Sequence, residues 1–280
     1  MSTEASVGAG TYRLPVTLRR VEIDRSGQWL AAGWRDFLKT PGVSLIYGGA
    51  FTVVSFALSY GLILAGLGSL VLPLAGGFVL LAPILVVGLY DVSQRLERGE
   101  RAHLSDVFGA FRENLGQLAA LGVALLVLWL VWVEVAIVLF AIFFGQAPPP
   151  LDVFVQEVVL SVRGVPFLLV GSLIGAGFAL TIFAITAISV PLLYDRPLDV
   201  ITAIAASVLA VRSNWRVMFG WAALIALIAV CGLALFFVGL AVALPVLAYA
   251  TWHAYRDLVA PEVLQEGAGA AVGAADADGI

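Results

Sequence analysis

The sequence predicts an all-α polytopic membrane helix bundle with six transmembrane helices as three hairpins, each preceded by a cytoplasmic amphipathic helix. Composition is the first reason: 61% of the 280 residues are hydrophobic and only 12% are charged, whereas a soluble domain has roughly 45–50% apolar and about 25% charged residues. The second reason is that the apolar residues form runs long enough to cross a bilayer. The third is that almost all basic residues lie on one side of those runs.

Six apolar segments are the predicted spans. They cover about residues 44–66, 70–94, 118–144 and 166–194, followed by two spans within 218–255. A single helix over the last run would be about 57 Å long, almost twice the hydrocarbon thickness of a bilayer. We therefore expect a break near Phe236 to Gly239. A single crossing of this run, which would give five spans in total, is the alternative.

An amphipathic segment precedes each predicted hairpin. Residues 28–39 place Trp29 and Trp34 on one helical face, which predicts an interfacial helix with both rings at headgroup depth. Residues 103–111 and 200–211 have the same apolar periodicity. The order of amphipathic helix, span, turn and span therefore occurs three times. It predicts a hairpin repeat, with chance similarity between apolar segments as the alternative.

The basic residues predict the orientation of the chain. Fourteen of the 15 Lys and Arg residues lie on one side of the predicted hairpins, and Arg163 alone lies in the longest loop on the other side. Because basic residues concentrate in cytoplasmic loops, this bias predicts a multi-pass protein of the bacterial inner (plasma) membrane with both termini in the cytoplasm. The fourteen are Arg13, Arg19, Arg20, Arg25, Arg35, Lys39, Arg95, Arg98, Arg101, Arg112, Arg196, Arg212, Arg216 and Arg256.

The chain divides into three predicted regions. Residues 1–27 are polar and carry helix-breaking residues, which predicts a disordered or irregular cytoplasmic N-terminus. Residues 28–258 form the predicted six-helix transmembrane domain. Residues 259–280 contain acidic residues and no basic residue, which predicts a disordered acidic cytoplasmic tail.

Glu134 and Arg163 form the candidate intramembrane polar site. Glu134 is the one ionisable residue deep inside a predicted span, and such a carboxylate by default indicates a proton, ion or substrate site. It lies about 16 residues into the third span, past the bilayer midplane. A structural polar contact is therefore the alternative, either with water of the outer leaflet or with Arg163.

Asp91, Asp195 and His253 form the candidate cytoplasmic-edge cluster. The two aspartates each follow a tyrosine at the predicted end of a span, and His253 occupies the matching end of the last span. They could line a shared cytoplasmic cavity. The alternative is that the aspartates pair with Arg95 and Arg196, and that the histidine is simply in contact with water.

Metal, cofactor and catalytic chemistry have no predicted site. Cys231 is the only cysteine and the chain has two histidines, which excludes an internal disulfide and a Cys-rich metal site. No nucleophile–base pair appears at a membrane surface, so we expect no enzymatic activity and no cofactor. The net charge of −4 argues against a nucleic-acid partner. The predicted partner is the lipid bilayer, and another membrane protein or a homo-oligomer stays open.

Several segments together carry a resemblance to a known family. They are residues 29–37, 44–48, 88–91, 143–145, 190–196 and 250–256. Their order resembles that of an uncharacterised family of bacterial integral membrane proteins, classed as a domain of unknown function, over about residues 20–258. Some members are labelled cytochrome c oxidase-associated or putative subunit I. The resemblance implies a polytopic membrane fold but carries over no site residue. Because a haem–copper catalytic subunit needs several histidine ligands within its spans, the label implies at most an accessory role.

The sequence therefore predicts a non-enzymatic inner-membrane protein that is an accessory or scaffold component of a membrane complex. The scarcity of polar residues along the spans is the reason for this prediction. A small transporter or channel that uses the intramembrane carboxylate Glu134 is the competing hypothesis, supported by the prolines within predicted spans and by the possible repeat.

Overall fold

The computed structural model describes residues 14–66, 82–110, 114–145, 160–235 and 237–261, together with Gln156 and Val158. Within these residues the chain is helical, apart from connecting segments and one isolated bridge, so the all-α prediction is confirmed. The helices are α1 Arg25–Lys39, α2 Pro41–Leu64, α3 Val87–Glu97, α4 Leu104–Gly109, α5 Leu115–Phe144, α6 Gly164–Thr186, α7 Ser189–Asp195, α8 Val200–Ser213, α9 Trp215–Ala234 and α10 Leu240–Leu258.

Four stretches of the described residues are long and apolar enough to cross a bilayer: α2, α5, α6 together with α7, and α9. They coincide with the first, third, fourth and fifth predicted spans. The second predicted span begins on residues 67–81, which lie outside the described residues. The sixth corresponds to α10, whose last turns carry His253, Arg256 and Asp257 and are too polar for the same classification. The arrangement of six spans in three hairpins stays a prediction.

The predicted break within residues 218–255 is confirmed. Helix α9 ends at Ala234 and α10 begins at Leu240. The two helices meet at a pair of glycines, because a Cβ atom on Gly239 would lie 2.7 Å from the Cα atom of Gly232. Small residues at this point let the two backbones approach closely.

Helix α1 packs closely against α10, and its predicted location at the membrane surface stays a prediction. A Cβ atom on Gly33 would lie 2.6 Å from the backbone nitrogen of Ala250, which shows how closely the two helices approach. The part of α1 that carries Trp29, Gly33 and Phe37 is thus covered by protein. Asp36, a charged residue of the same helix, is also buried.

The two tryptophans of α1 have different environments. Trp29 is only 2% exposed. Its ring meets that of Trp221 edge to face at 5.8 Å, and its indole nitrogen donates a hydrogen bond to Asp257 at 2.8 Å. Trp34 is exposed. Protein therefore covers Trp29, because a helical period identifies an apolar face but does not show whether lipid or protein lies against it. The predicted headgroup depth of the two rings stays a prediction.

The segment before α1 pairs with the segment after α10. Leu18 and Val259 form an antiparallel bridge, and the backbone nitrogen of Arg19 donates to the carbonyl oxygen of Leu258 at 2.8 Å. The segment before α1 is also bonded to Asn214, whose side-chain amide nitrogen donates a hydrogen bond to the carbonyl oxygen of Arg19 at 3.0 Å. The first and last described segments are thus joined.

Helices α2, α5 and α9 each begin after an elbow of the same backbone conformation. The elbow residues are Thr40 with φ −128° and ψ 51°, Asn114 with φ −145° and ψ 49°, and Asn214 with φ −119° and ψ 31°. Both asparagine side chains donate hydrogen bonds to carbonyl oxygens of segments distant in the sequence. Three matching elbows are what a threefold repeat would produce.

Candidate functional site

An aromatic cluster fills the core at one end of the bundle. The ring of Trp252 lies 6.2 Å from that of Tyr90, 5.9 Å from that of Tyr194 and 5.3 Å from that of Tyr255. All four side chains are buried. They come from α3, α7 and α10, so this cluster joins three helices that are separated in sequence.

A set of charged side chains, which we call the charged rim, lies next to the aromatic cluster. Its residues are Asp36, Asp91, Arg95, Glu97, Asp195, Arg196, His253, Arg256 and Asp257. The indole nitrogen of Trp252 donates to Glu97 at 3.1 Å, which links the cluster to the rim.

Asp91 pairs with Arg95, as one of the two sequence-based readings predicts. The Nε atom of Arg95 donates to the carboxylate at 2.7 Å. This hydrogen bond raises the pKa of Arg95 above its ordinary value. The hydroxyl of Tyr194 donates to the other carboxylate oxygen at 2.8 Å. Asp91 is therefore held from two sides and does not line an open cavity.

Asp195 is held in a similar way. It accepts hydrogen bonds from the hydroxyl of Tyr255 and from the side-chain amide of Gln94 at 2.9 Å. The Nε atom of Arg196 lies 4.0 Å from its carboxylate. The tyrosine of one predicted hairpin thus binds the aspartate of the preceding one, both at Asp91 and at Asp195.

His253 faces a carboxylate that the sequence analysis did not single out. Its Nε2 atom lies 2.8 Å from the carboxylate of Asp36, which also accepts from the hydroxyl of Ser93 at 2.9 Å. The Nδ1 atom lies 3.9 Å from Glu97. His253 therefore lies in a polar network joining α1, α3 and α10, away from both predicted aspartates.

The charged rim is a network of hydrogen bonds and ion pairs between helices. Asp36, Glu97 and Asp257 were missed by the sequence analysis because each lies on an ordinary helical turn, with no spacing that marks a partner. Within the described residues, no group of three or more His, Cys, Asp or Glu side chains could hold a metal ion. The contacts of the charged rim join α1, α3, α7 and α10.

Glu134 and Arg163 are not brought together. Both are exposed. Helices α5 and α6 run antiparallel, with the ring of Phe167 packed 5.4 Å from that of Phe144 and Gly175 beside the ring of Trp132. This register places Arg163 near the level of Phe144, about 15 Å along the axis from Glu134, too far for an ion pair.

A cavity of about 590 Å³ lies between α2, α3, α5, α6, α9 and α10. Its described wall is mainly apolar and contains no charged residue; Glu134 is not on it. The hydroxyl-bearing residues of this wall are Ser55, Ser59, Tyr90, Thr186 and Thr251. Tyr90 is the residue of the aromatic cluster that is on the described wall.

Comparison with known proteins agrees with the resemblance found in the sequence. No curated protein and no solved structure matches the chain. A family model does match, over a narrower range than the resembling segments cover. Over residues 71–195 the chain matches the family described as "Predicted integral membrane protein (DUF2189)", a family of unknown function, and with its several apolar helices it is an integral membrane protein.

Proposed function

We propose that this protein is a non-enzymatic accessory or scaffold component of a membrane complex. It would be a multi-pass protein of the bacterial inner membrane, with six spans in three hairpins and both termini in the cytoplasm. The outward-facing carboxylate of Glu134 is the observation that carries the proposed role.

Glu134 occupies the centre of an exposed apolar face. Its neighbours one turn away on the same side of α5 are also exposed; they are Leu130, Val131, Ile137 and Val138. A carboxylate facing hydrocarbon is costly, and ionisable residues within spans almost always face the interior of a bundle or a water-filled cavity. Among the described residues none forms a hydrogen bond or ion pair with Glu134. A polar group on another membrane protein would form a hydrogen bond or an ion pair with the carboxylate of Glu134.

Glu134→Leu is expected to weaken binding of the partner protein while leaving the isolated protein folded. We expect co-purification of the partner from native membranes to fall at least about fivefold, because one hydrogen bond of about 1 kcal/mol corresponds to that factor. For Glu134→Gln, which keeps hydrogen-bonding groups, co-purification of the partner should fall less. The measurement is quantitative mass spectrometry after mild detergent extraction.

The matched control for this experiment is Glu22→Leu. It makes the same chemical change at an exposed residue before α1 and should leave co-purification unchanged. Retention of the same partner by Glu134→Leu would refute the role given to this face. So would purification of the wild-type protein from native membranes as a stable, partner-free monomer.

Three features support the proposed topology. Basic residues are almost confined to one side of the apolar runs. The elbows at Thr40, Asn114 and Asn214 share one backbone conformation. Helices α9 and α10 reverse direction tightly at Gly232 and Gly239, as a hairpin requires.

A reporter fused after residue 280 tests this topology. We expect alkaline phosphatase to be inactive and green fluorescent protein to fluoresce at that position. Six spans put both termini on the same side of the membrane, and the basic residues make that side the cytoplasm. The same two reporters, placed after Gly145, serve as the control and should give the opposite result. Phosphatase activity at the C-terminus would require an odd number of spans and would overturn the arrangement.

A small transporter or channel is the second candidate function. The cavity favours it, because this space lies between apolar helices, with Pro83 on its wall and Pro245 inside the adjoining α10. Glu134, the carboxylate that this hypothesis uses, does not line the cavity, so we place it second. Full transport by Glu134→Ala in proteoliposomes would exclude a mechanism that uses this carboxylate.

A further inference from the structure

The cavity extends from the outer surface of the bundle into its core. Leu58, on its wall, is 60% exposed, whereas Leu125 and Tyr90 on the same wall are almost completely buried. The surface around Leu58 belongs to α2, one of the candidate spans. A molecule dissolved in the bilayer could therefore enter from the side, without passing through water.

Ser55 gives this cavity a polar group without a partner. It lies on the wall, is 8% exposed, and its hydroxyl oxygen has no hydrogen-bond partner among the described residues. Thr186 and Thr251, on the same wall, instead donate to carbonyl oxygens four residues earlier, at 2.9 Å and 2.7 Å. A buried hydroxyl without a partner is costly, and it marks a place where a ligand oxygen would be stabilised.

The wall restricts the charge of a ligand. No charged residue is among its described lining. An ionised headgroup would lose its hydration in this cavity without gaining a counter-charge. The volume of about 590 Å³ falls within the range of roughly 300–1,000 Å³ that is typical of small-molecule sites.

We propose that the cavity binds a neutral lipid from the bilayer. The apolar body of the lipid fills the cavity, and its single uncharged oxygen, a hydroxyl or a carbonyl, forms a hydrogen bond with Ser55. This site is independent of the Glu134 face, so either proposal can fail without the other.

The probe for this site is hexadecanol carrying a photoreactive diazirine, incorporated with the full-length protein into nanodiscs. Illumination should label peptides of α2, α9 or α10 that line the cavity. Ser55→Ala should reduce labelling at a low probe concentration about fivefold, the loss expected for one hydrogen bond. Ala229→Trp, which places a large ring on the cavity wall, should reduce it more strongly.

The control for the filled cavity is Ala226→Trp, on the exposed side of the same helix, which should label like the wild type. Melting temperatures of the variants, measured in the same nanodiscs, separate loss of binding from loss of folding. An alkane and a fatty acid that carry the same diazirine test the preference for the headgroup. Both should label the protein less than the alcohol does.

Stronger labelling by the fatty acid would overturn the neutral headgroup. Equal labelling by the alkane, together with an unchanged Ser55→Ala variant, would overturn the role of Ser55. Unchanged labelling of a folded Ala229→Trp variant would overturn the site itself.

Discussion

Gly48→Ala is expected to lower the melting temperature of the purified protein sharply, although it adds a single methyl group. A Cβ atom at this position would lie 2.9 Å from the Cα atom of Ala241, and closer still to the carbonyl oxygen of that residue. Because backbone atoms cannot rotate away, α2 and α10 would have to separate. Overpacking of this kind typically costs about 1–3 kcal/mol.

The contact at Gly48 is supported by a hydrogen bond further along the same two helices, between the hydroxyls of Ser44 and Tyr249 at 2.8 Å. Separation of the helices would weaken this bond as well. Thermal unfolding in one detergent, followed by tryptophan fluorescence, is the measurement.

Gly49→Ala is the matched control, since it makes the same change one residue further along the helix. A Cβ atom on Gly49 would meet no atom within 4 Å. Alanine is favoured over glycine in a helix by up to about 1 kcal/mol, so this variant should melt at the same temperature as the wild type or higher. Equal melting of the two variants would show that α2 and α10 are not in backbone contact at Gly48.

Trp252→Ala is the second change with a large expected effect. The side chain is completely buried and contacts Tyr90, Tyr194 and Tyr255. Replacing a buried aromatic residue by alanine typically costs about 3–5 kcal/mol, a large part of the roughly 5–15 kcal/mol by which folded proteins are stable. We expect the variant to lose its cooperative thermal transition or to aggregate on extraction from membranes.

Two variants separate the ring of Trp252 from its hydrogen bond. Trp252→Phe keeps a ring but loses the donor to Glu97, so the expected loss is smaller, with the hydrogen bond contributing about 1 kcal/mol. Trp215→Ala removes a tryptophan that is 62% exposed and should change stability little. If the Trp252→Ala and Trp215→Ala variants had the same melting temperature, the aromatic cluster would not stabilise the core at its end of the helix bundle.

The spans were the most predictable part of the fold. A run of about 20 apolar residues must be accommodated in the bilayer whatever surrounds it, and four such predictions coincide with candidate spans. The break between α9 and α10 followed from length alone. The pair Asp91 and Arg95 was also predictable, because opposite charges four residues apart on one helix are neighbours.

The environment of α1 was not predictable from its own residues. Lipid and protein interior are both apolar, so the face carrying Trp29 gives no sign of which one it meets. Asp36 and His253 are separated by almost the whole chain, and nothing in local spacing reports such a contact. The unpaired hydroxyl of Ser55 depends on the packing of several helices, and only the folded arrangement shows it.

The pairing of the first and last described segments has a consequence for biosynthesis. Helix α1 packs along α10, and Leu18 bridges to Val259. Because α1 precedes α10 by about 200 residues in the sequence, it leaves the ribosome long before the helix against which it packs has been made. The N-terminal part of a chain is synthesised first, and contacts between residues distant in the sequence form slowly. Residues such as Trp29 must therefore remain uncovered by their final neighbours until translation of α10 is complete, which makes the last helix the step that closes the fold.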